Sequence, residues 1–394
     1  MSFDPFGRSG DLARLAAEGY ELELTQGGHL LVKGVPYRTP GGAVARGTVV
    51  SKVELNGDIT VNPVQDHTIR FIGEAPCNGV GEVLKAIINQ GDDEIETGLV
   101  VNHQFSAKPA HNVKYADYHA KITAYVALIS GPAQALESEA TPRTGRPCIV
   151  DNSDWPFEYV DTASGRAGIG AISGRLSDQR IGIVGLGGTG SYILDLVAKC
   201  PVQEIHLFDD DVFSTHNAFR APGAPELAQL RSGQSKVEYL AGVYSKMKRN
   251  IIPHVQNVTA DNMADLAGLS FVFLAMEGGP AKRAVVTGLE TLNLPFVDTS
   301  IGVVKARSSP RLSAVVDINA STPADRDSVR RNVDFGELDD DEDPYAENIQ
   351  IAELNALSAA HAVIWWKKWS EVYHVKTLHN HQHMNVGFGR LSSE

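Results

Sequence analysis

The residues best suited to chemistry lie between Gln179 and Lys236, where the chain reads QRIGIVGLGGTGSYILDLVAKC, then EIHLFDDDVFSTHNAFR, then SGQSKVE. Gly185, Gly187 and Gly190 form a G-x-G-x-x-G pattern, with Gly188 as an extra glycine. Glycine allows backbone conformations and close ligand approach that a Cβ would block. The helix that follows offers free amides and partial positive charge at its N-terminus, which suit phosphate. Asp209 stands nineteen residues after Gly190, at a place where an acid accepts hydrogen bonds from a ribose. Asn217, Arg220 and Lys236 follow in polar loops. Strand, turn, helix, strand and acid in register read as most of a nucleotide site.

The elements that must position these residues are legible as periodicity. Ile181 to Val184 is an apolar run of the kind that a parallel strand buries on both faces. Ser191 to Lys199 continues as a helix with Ile193, Leu194 and Val197 on its apolar side, and Glu204 to Phe208 is the next strand. Further on come a short helix or turn at Asp261–Leu269, a third strand at Ser270–Met276 and a helix at Ala281–Leu289. Pro295–Gly302 reads as a fourth strand and Arg311–Ser321 as a fifth, at or crossing the sheet edge. Leu338–Asp343 is an acidic, solvated loop. Glu347–Trp369 is a long helix whose Trp365 and Trp366 belong to a core. His379, His381 and His383 alternate in the tail. In a strand they face one way, as metal ligands or as the polar face of a partly exposed strand.

The expected fold is α/β: a Rossmann-like, mostly parallel sheet with helices on both faces over 176–394, preceded by a smaller α+β domain. That first domain spans 1–150, with 151–175 as a linker and approach segment; the stretch Ser138–Gly174 is rich in Pro, Gly, Thr and Arg. In it, Asp11–Gly19, Gly81–Gln90 and Asp117–Ile129 read as helices. HLLVKGV, GTVVSKVEL and HTIRFIG read as strands, and Asn56-Gly57 as a turn. His103, Ser106, Lys108, Tyr115, Asp117, Tyr118 and His119 are a dense polar set whose spacing identifies no reaction. Arg166 and Arg175 precede the nucleotide strand, within reach of phosphates or simply solvated.

Composition bounds the function. The chain has 394 residues, room for two or three domains. At 43% hydrophobic and 21% charged it reads as an ordinary soluble globular protein. Its net charge of −13 argues against a non-specific nucleic-acid or membrane-surface binder. No apolar run reaches transmembrane length, and MSFDPFGRSGDLARLAAEG has no signal-peptide core, so a cytoplasmic protein is expected. Cys77, Cys148 and Cys200 form no C-x-x-C pair, which speaks against a disulfide framework and a cysteine zinc site.

The run from Asp209 to Lys236 resembles the adenylyltransferase superfamily of ubiquitin-activating enzymes and the ThiF and MoeB sulfur-carrier activators. The likeness rests on Asp209, Asp211, Asn217, Arg220, Gly233 and Lys236 in order, and covers roughly residues 175–370. The N-terminal FSAKP, KYADYHAKI and ISGPA resemble an accessory domain of bacterial ThiF-type proteins associated with genes for ubiquitin-like proteins. The resemblance implies ATP-dependent adenylation of the C-terminal glycine carboxylate of a ubiquitin-like protein, for conjugation or sulfur-carrier activation, with release of pyrophosphate. It implies Mg²⁺, a homodimer and, downstream, a conjugating-type acceptor. Two anions must meet in such a reaction, so cations must face the phosphates. By resemblance Arg220 and Lys236 hold the β- and γ-phosphates and the leaving pyrophosphate. Asn217 donates near the α-phosphate, Asp209 takes the ribose hydroxyls, and Asp211 lies near the nucleotide or orients Arg220. Gly185, Gly187, Gly188 and Gly190 form the phosphate shelf.

The chain departs from that pattern at named positions. Glu277 stands where the family has a Mg²⁺-binding aspartate, followed in the next helix by Lys282 or Arg283 as the basic residue. No cysteine follows Cys200, so the nucleophile of many relatives is missing from the crossover region, about 303–345. Three routes then stand open. The adenylate passes directly to a separate acceptor. Alternatively a hydroxyl of Ser321, Thr322 or Ser328 takes it as an oxyester, or Cys77 of the first domain receives it. Two other functions share the glycine turn: a dinucleotide-binding NAD(P) oxidoreductase, and a non-catalytic scaffold for ubiquitin-like proteins.

Overall fold

The structure, a computed structural model, describes residues 3–109, 114–150, 154–305, 311–333, 335 and 349–393. It divides into two compact units, residues 1–174 and 175–394. Among the described residues no helix is long and apolar enough to cross a membrane.

The first unit is built on a six-stranded antiparallel sheet. Helix α1 (Gly10–Ala17) precedes β1 (Glu21–Leu24), β2 (His29–Arg38), β3 (Val44–Lys52), β4 (Thr68–Ile72), β5 (Ile87–Glu96) and β6 (Leu99–Ser106). The sheet order is β1-β2-β3-β4-β6-β5. Helix α2 (Tyr118–Leu136) starts at Asp117, whose carboxylate accepts from the Ala120 amide. Its Ile122, Tyr125, Val126 and Ile129 pack into one core with Leu30, Val32, Val49 and Phe71 of the sheet.

Two expectations for this unit are corrected. Gly81–Gln90 is not a helix: Ile87–Glu96 is a strand, paired through three bulges with β6. A hairpin partner overrides the weak helical pattern of a ten-residue run. Residues 154–174 are more than a linker. Trp155 and Val160 bury against Leu24, and short helices run over Thr162–Ala167 and Gly170–Ser173. A Cβ on Gly165 would stand 2.3 Å from the Gly27 carbonyl oxygen, so this segment packs onto the first unit.

The second unit carries an eight-stranded sheet. Its elements are β7 (Arg180–Val184), α3 (Gly188–Val197), β8 (Glu204–Phe208), α4 (Lys236–Tyr244), β9 (Ile251–His254), β10 (Phe271–Leu274) and α5 (Pro280–Thr291). Then follow β11 (Phe296–Lys305), β12 (Leu312–Ser321), α6 (Asp327–Asn332), α7 (Ala352–Trp369), β13 (His381–Asn385) and β14 (Arg390–Ser393). The order is β9-β8-β7-β10-β11-β12-β13-β14. The first five strands in that order are parallel, and the rest join antiparallel. Strand β12 is therefore interior, and the edge beyond it is β14. The acidic run Leu338–Asp343 lies outside the described residues.

This topology creates a functional edge. The chain moves outward from β7 through β8 to β9, then returns to lay β10 on the other side of β7. Ligand crevices of open α/β sheets form at such a reversal, beyond the carboxyl ends of the strands. The glycine turn follows β7 at that point. Trp365 and Trp366 of α7 are fully buried against Phe271 and Phe273, which fixes the closing helix on the sheet.

Candidate active site

The glycine turn is set by close backbone approach. Gly185 has φ +86°, and a Cβ on it would lie 2.6 Å from the Ala275 carbonyl oxygen. A Cβ on Gly190 would lie 1.8 Å from the Gly185 carbonyl oxygen. Both positions require glycine on sterics alone. Gly187 differs, because the nearest atom to its built Cβ is 4.0 Å away. The turn is thus packed on its inner side and open at Gly187, where backbone can lie against a ligand.

Asp209 directly follows β8 and is 7% exposed. Its Oδ2 accepts from the Leu186 amide at 2.7 Å and its Oδ1 from the Asp211 amide at 2.9 Å. The Lys236 ammonium lies 3.3 Å from Oδ1. These donors fill most of what one carboxylate can accept. Asp209 therefore ties the glycine turn to the lysine, and the ribose role implied by resemblance meets a carboxylate already engaged. Asp211 pairs with Lys236 at 2.5 Å rather than with Arg220, and its side chain is 69% exposed. The loops carrying them are laced together by Lys236 N–H to Asp211 C=O and Phe213 N–H to Gln234 C=O.

Asn217 and Arg220 sit on a one-turn helix, Thr215–Ala218, and its exit. Asn217 Oδ1 accepts from the Ser214 amide and hydroxyl, each at 2.9 Å. Its Nδ2 is buried with no partner among the described residues, and so is Nε of Arg220. Two buried donors without acceptors carry a cost on the order of 1–3 kcal/mol each. An anionic ligand in this loop would remove that cost, so the residues present fit a triphosphate.

Sequence reasoning missed Asn355. It lies fully buried on α7. Its Oδ1 accepts from Thr189 Oγ1 at 3.0 Å, and its Nδ2 donates to the Arg220 carbonyl at 3.3 Å. A Cβ on Gly188 would stand 2.0 Å from that Nδ2. One side chain thus joins the glycine turn, the arginine loop and the closing helix. An asparagine inside an apolar helix, followed by Ser358, was the available signal.

Other candidate residues sort by geometry. Glu277 is exposed, two residues beyond Ala275, which donates its amide to Val184. Asp209, Asp210 and Asp211 place ligand atoms within 4.8 Å of one another. Glu277 is not part of that acidic group. Lys282 is buried against Asp298 at 2.7 Å and is not exposed to a phosphate. Arg283 stacks on Phe335 at 5.0 Å. Arg166 pairs with Glu54, and Arg175 donates to the Glu371 carbonyl. In the first unit, Tyr118 hydroxyl accepts from the Glu54 amide, and His119 bonds Glu18.

The proposed covalent acceptors fare poorly. Cys77 is fully buried, its thiol directed at the Ala75 carbonyl, and burial pushes its pKa up. A buried neutral thiol is not a nucleophile, so the Cys77 route is corrected. Ser321 is fully buried and accepts from Arg326. Thr322 Oγ1 accepts from the Asp325 amide. The Ser328 side chain lies outside the described residues.

Parts of the chain are similar to known proteins. Residues 10–162 match the domain of unknown function DUF6791, and residues 167–333 match the ThiF family. The chain is 33% identical over 87 residues to ubiquitin-like modifier-activating enzyme 5 of Drosophila mojavensis, and over 91 residues to that of Drosophila grimshawi. Each match covers 22% of this chain, and the chain spans only 21% and 22% of those relatives. Among solved structures, PaaA is similar at 14% identity and TM-score 0.44, over 57% of this chain and 74% of that one. E. coli MccB, solved with ATP, is similar at 13% identity and TM-score 0.43, over 59% and 69%. The glycine turn, the arginine loop and Lys236 all fall within residues 167–333, and that stretch of the chain is a ThiF family domain.

Proposed function

We propose that the chain is an ATP-dependent adenylyltransferase acting on the C-terminal glycine carboxylate of a ubiquitin-like protein. One observation carries it: Asn217 and Arg220 hold buried donors without partners among the described residues, in a loop that Asn355 ties to the glycine turn. That is a preformed place for anionic oxygens. The ThiF family match and the relatives named as ubiquitin-like modifier-activating enzymes favour this substrate class.

In this reading a carboxylate oxygen of the substrate attacks the α-phosphorus of ATP. The bond from that phosphorus to the oxygen bridging the β-phosphate breaks, and pyrophosphate leaves with the bond electrons. Arg220 and Lys236 offset the charge on the triphosphate and on the departing pyrophosphate, and Asn217 Nδ2 donates to an α-phosphate oxygen. Backbone at Gly187 supports the phosphates. A hard divalent cation held by Glu277 or the Asp209–Asp211 run would neutralise further phosphate charge. With Cys77 buried, the adenylate passes to a separate acceptor protein. A homodimer remains part of the proposal by family resemblance alone.

Pyrophosphate–ATP exchange tests the reading directly. Purified protein with its ubiquitin-like partner should incorporate labelled pyrophosphate into ATP, and Lys236→Ala should not. Absence of exchange together with absence of ATP binding would overturn it. ATP binding without exchange, in the presence of a bound partner, would indicate a scaffold. A dinucleotide oxidoreductase is disfavoured, because it gives Arg220 and Lys236 no joint role beside the glycine turn.

A further inference from the structure

The tail histidines meet an acid of the sheet on one face, outside the nucleotide loops. Strand β13 runs antiparallel to β12, with His383 opposite Asp317 and His381 opposite Asn319. Strand alternation puts all four side chains on the same face. Val316, Ile318 and Ala320 occupy the opposite face and pack into cores shared with α7. His383 Nδ1 lies 2.7 Å from Asp317 Oδ1, and His381 Nε2 lies 3.4 Å from the same oxygen. His381, His383 and Asp317 are 20%, 38% and 23% exposed, so an ion has access. Asn319 is 1% exposed, and its Oδ1 is buried with no partner among the described residues. Asn319 thus adds a lone pair without a donor, among the described residues, to the face that carries two imidazoles and a carboxylate.

We propose that Asp317, His381 and His383 bind a divalent transition-metal ion of the zinc type, with Asn319 supplying a further oxygen. Two imidazoles with a carboxylate suit zinc, cobalt or nickel, whereas magnesium and calcium prefer oxygen alone. Asp317 already receives both rings. The ion takes the place of the hydrogen bonds between rings and carboxylate; each ring ligates through a nitrogen without a proton and keeps its N–H on the other. His381 must rotate from its hydrogen-bonded position to reach ligand distance. Binding would pin β13 to β12 and so fasten the C-terminal hairpin to the sheet. This site is independent of the adenylation reading.

Calorimetric titration of the full-length, untagged chain with Zn²⁺ in excess Mg²⁺ tests the proposal. The Mg²⁺ occupies the oxygen-only acidic sites. One Zn²⁺ per chain should bind and raise the melting temperature. His381→Gln with His383→Gln should weaken binding by at least about 100-fold. Asp317→Asn keeps the shape of the acid and should show a comparable loss, which serves if the histidine variants fail to fold. No stoichiometric Zn²⁺ binding by the parent protein overturns the site, and so does binding that survives in folded variants.

Discussion

Asn355 Nδ2 donates to the carbonyl oxygen of Arg220 across 135 positions of sequence. The same side chain accepts from Thr189 in the glycine turn. The closing helix thereby ties the glycine turn to the arginine loop. Asn355→Ala should raise the ATP KM of pyrophosphate exchange at least about tenfold, with a stability loss on the order of 1–3 kcal/mol from the stranded partners. ATP titration and thermal melts separate the two effects. An unchanged KM with lowered stability would reduce Asn355 to a structural role.

Lys236 lies within 3.3 Å of Asp209 and 2.5 Å of Asp211 and is 5% exposed. Lys236→Ala removes the cation proposed to face the phosphates and leaves Asp209 and Asp211 without it. Arg220→Ala removes the cation of the neighbouring loop. Each should reduce pyrophosphate exchange by on the order of 100-fold or more. Lys236→Arg should not rescue, because a planar guanidinium does not fit a buried point-charge site.

Gly190 admits no side chain, since the added Cβ would stand 1.8 Å from the Gly185 carbonyl oxygen. Gly190→Ala should lower stability on the order of 1–3 kcal/mol and depress ATP affinity with it. Gly187→Ala meets open space. It should leave the melting temperature near that of the parent while weakening ATP binding, a contrast that calorimetry can read.

Cys77→Ser should leave both exchange and transfer intact, because the thiol is buried and its pKa is raised by burial. Native protein should resist iodoacetamide at Cys77 until denatured, as peptide mass mapping would report. Loss of transfer with exchange retained would restore a thioester route.

Lys121 is fully buried on α2, and its ammonium nitrogen has no hydrogen-bond partner among the described residues. Burial lowers its pKa from 10.5 to about 8. The folded value lies below the unfolded one, so the unfolded chain binds the proton more tightly. Stability is therefore highest above pH 10.5, falls as pH drops toward 8, and is level below that. Lys121→Met should flatten this dependence and stabilise the protein at neutral pH by about 1–2 kcal/mol, offset in part by the loss of attraction to Asp66. Urea denaturation at several pH values checks it.

The sequence by itself determined the parallel core of the second unit and the order of its nucleotide loops. Buried strands, glycine turns and caps are local signals: Ile181–Val184, Gly185–Gly190 and Glu204–Phe208 each declare themselves within a few residues. It also supplied Asn217, Arg220 and Lys236 as candidates, because their order and spacing are a property of the chain. Tertiary structure alone decided how those residues are engaged. Asp209 is spent on Leu186, Asp211 and Lys236, and Lys282 on Asp298. Asn355 and the meeting of Asp317 with His381 and His383 join positions far apart in sequence, and no local pattern encodes such a contact. The Ile87–Glu96 strand went unread for the same reason, since its partner strand, not its own composition, selects the extended form.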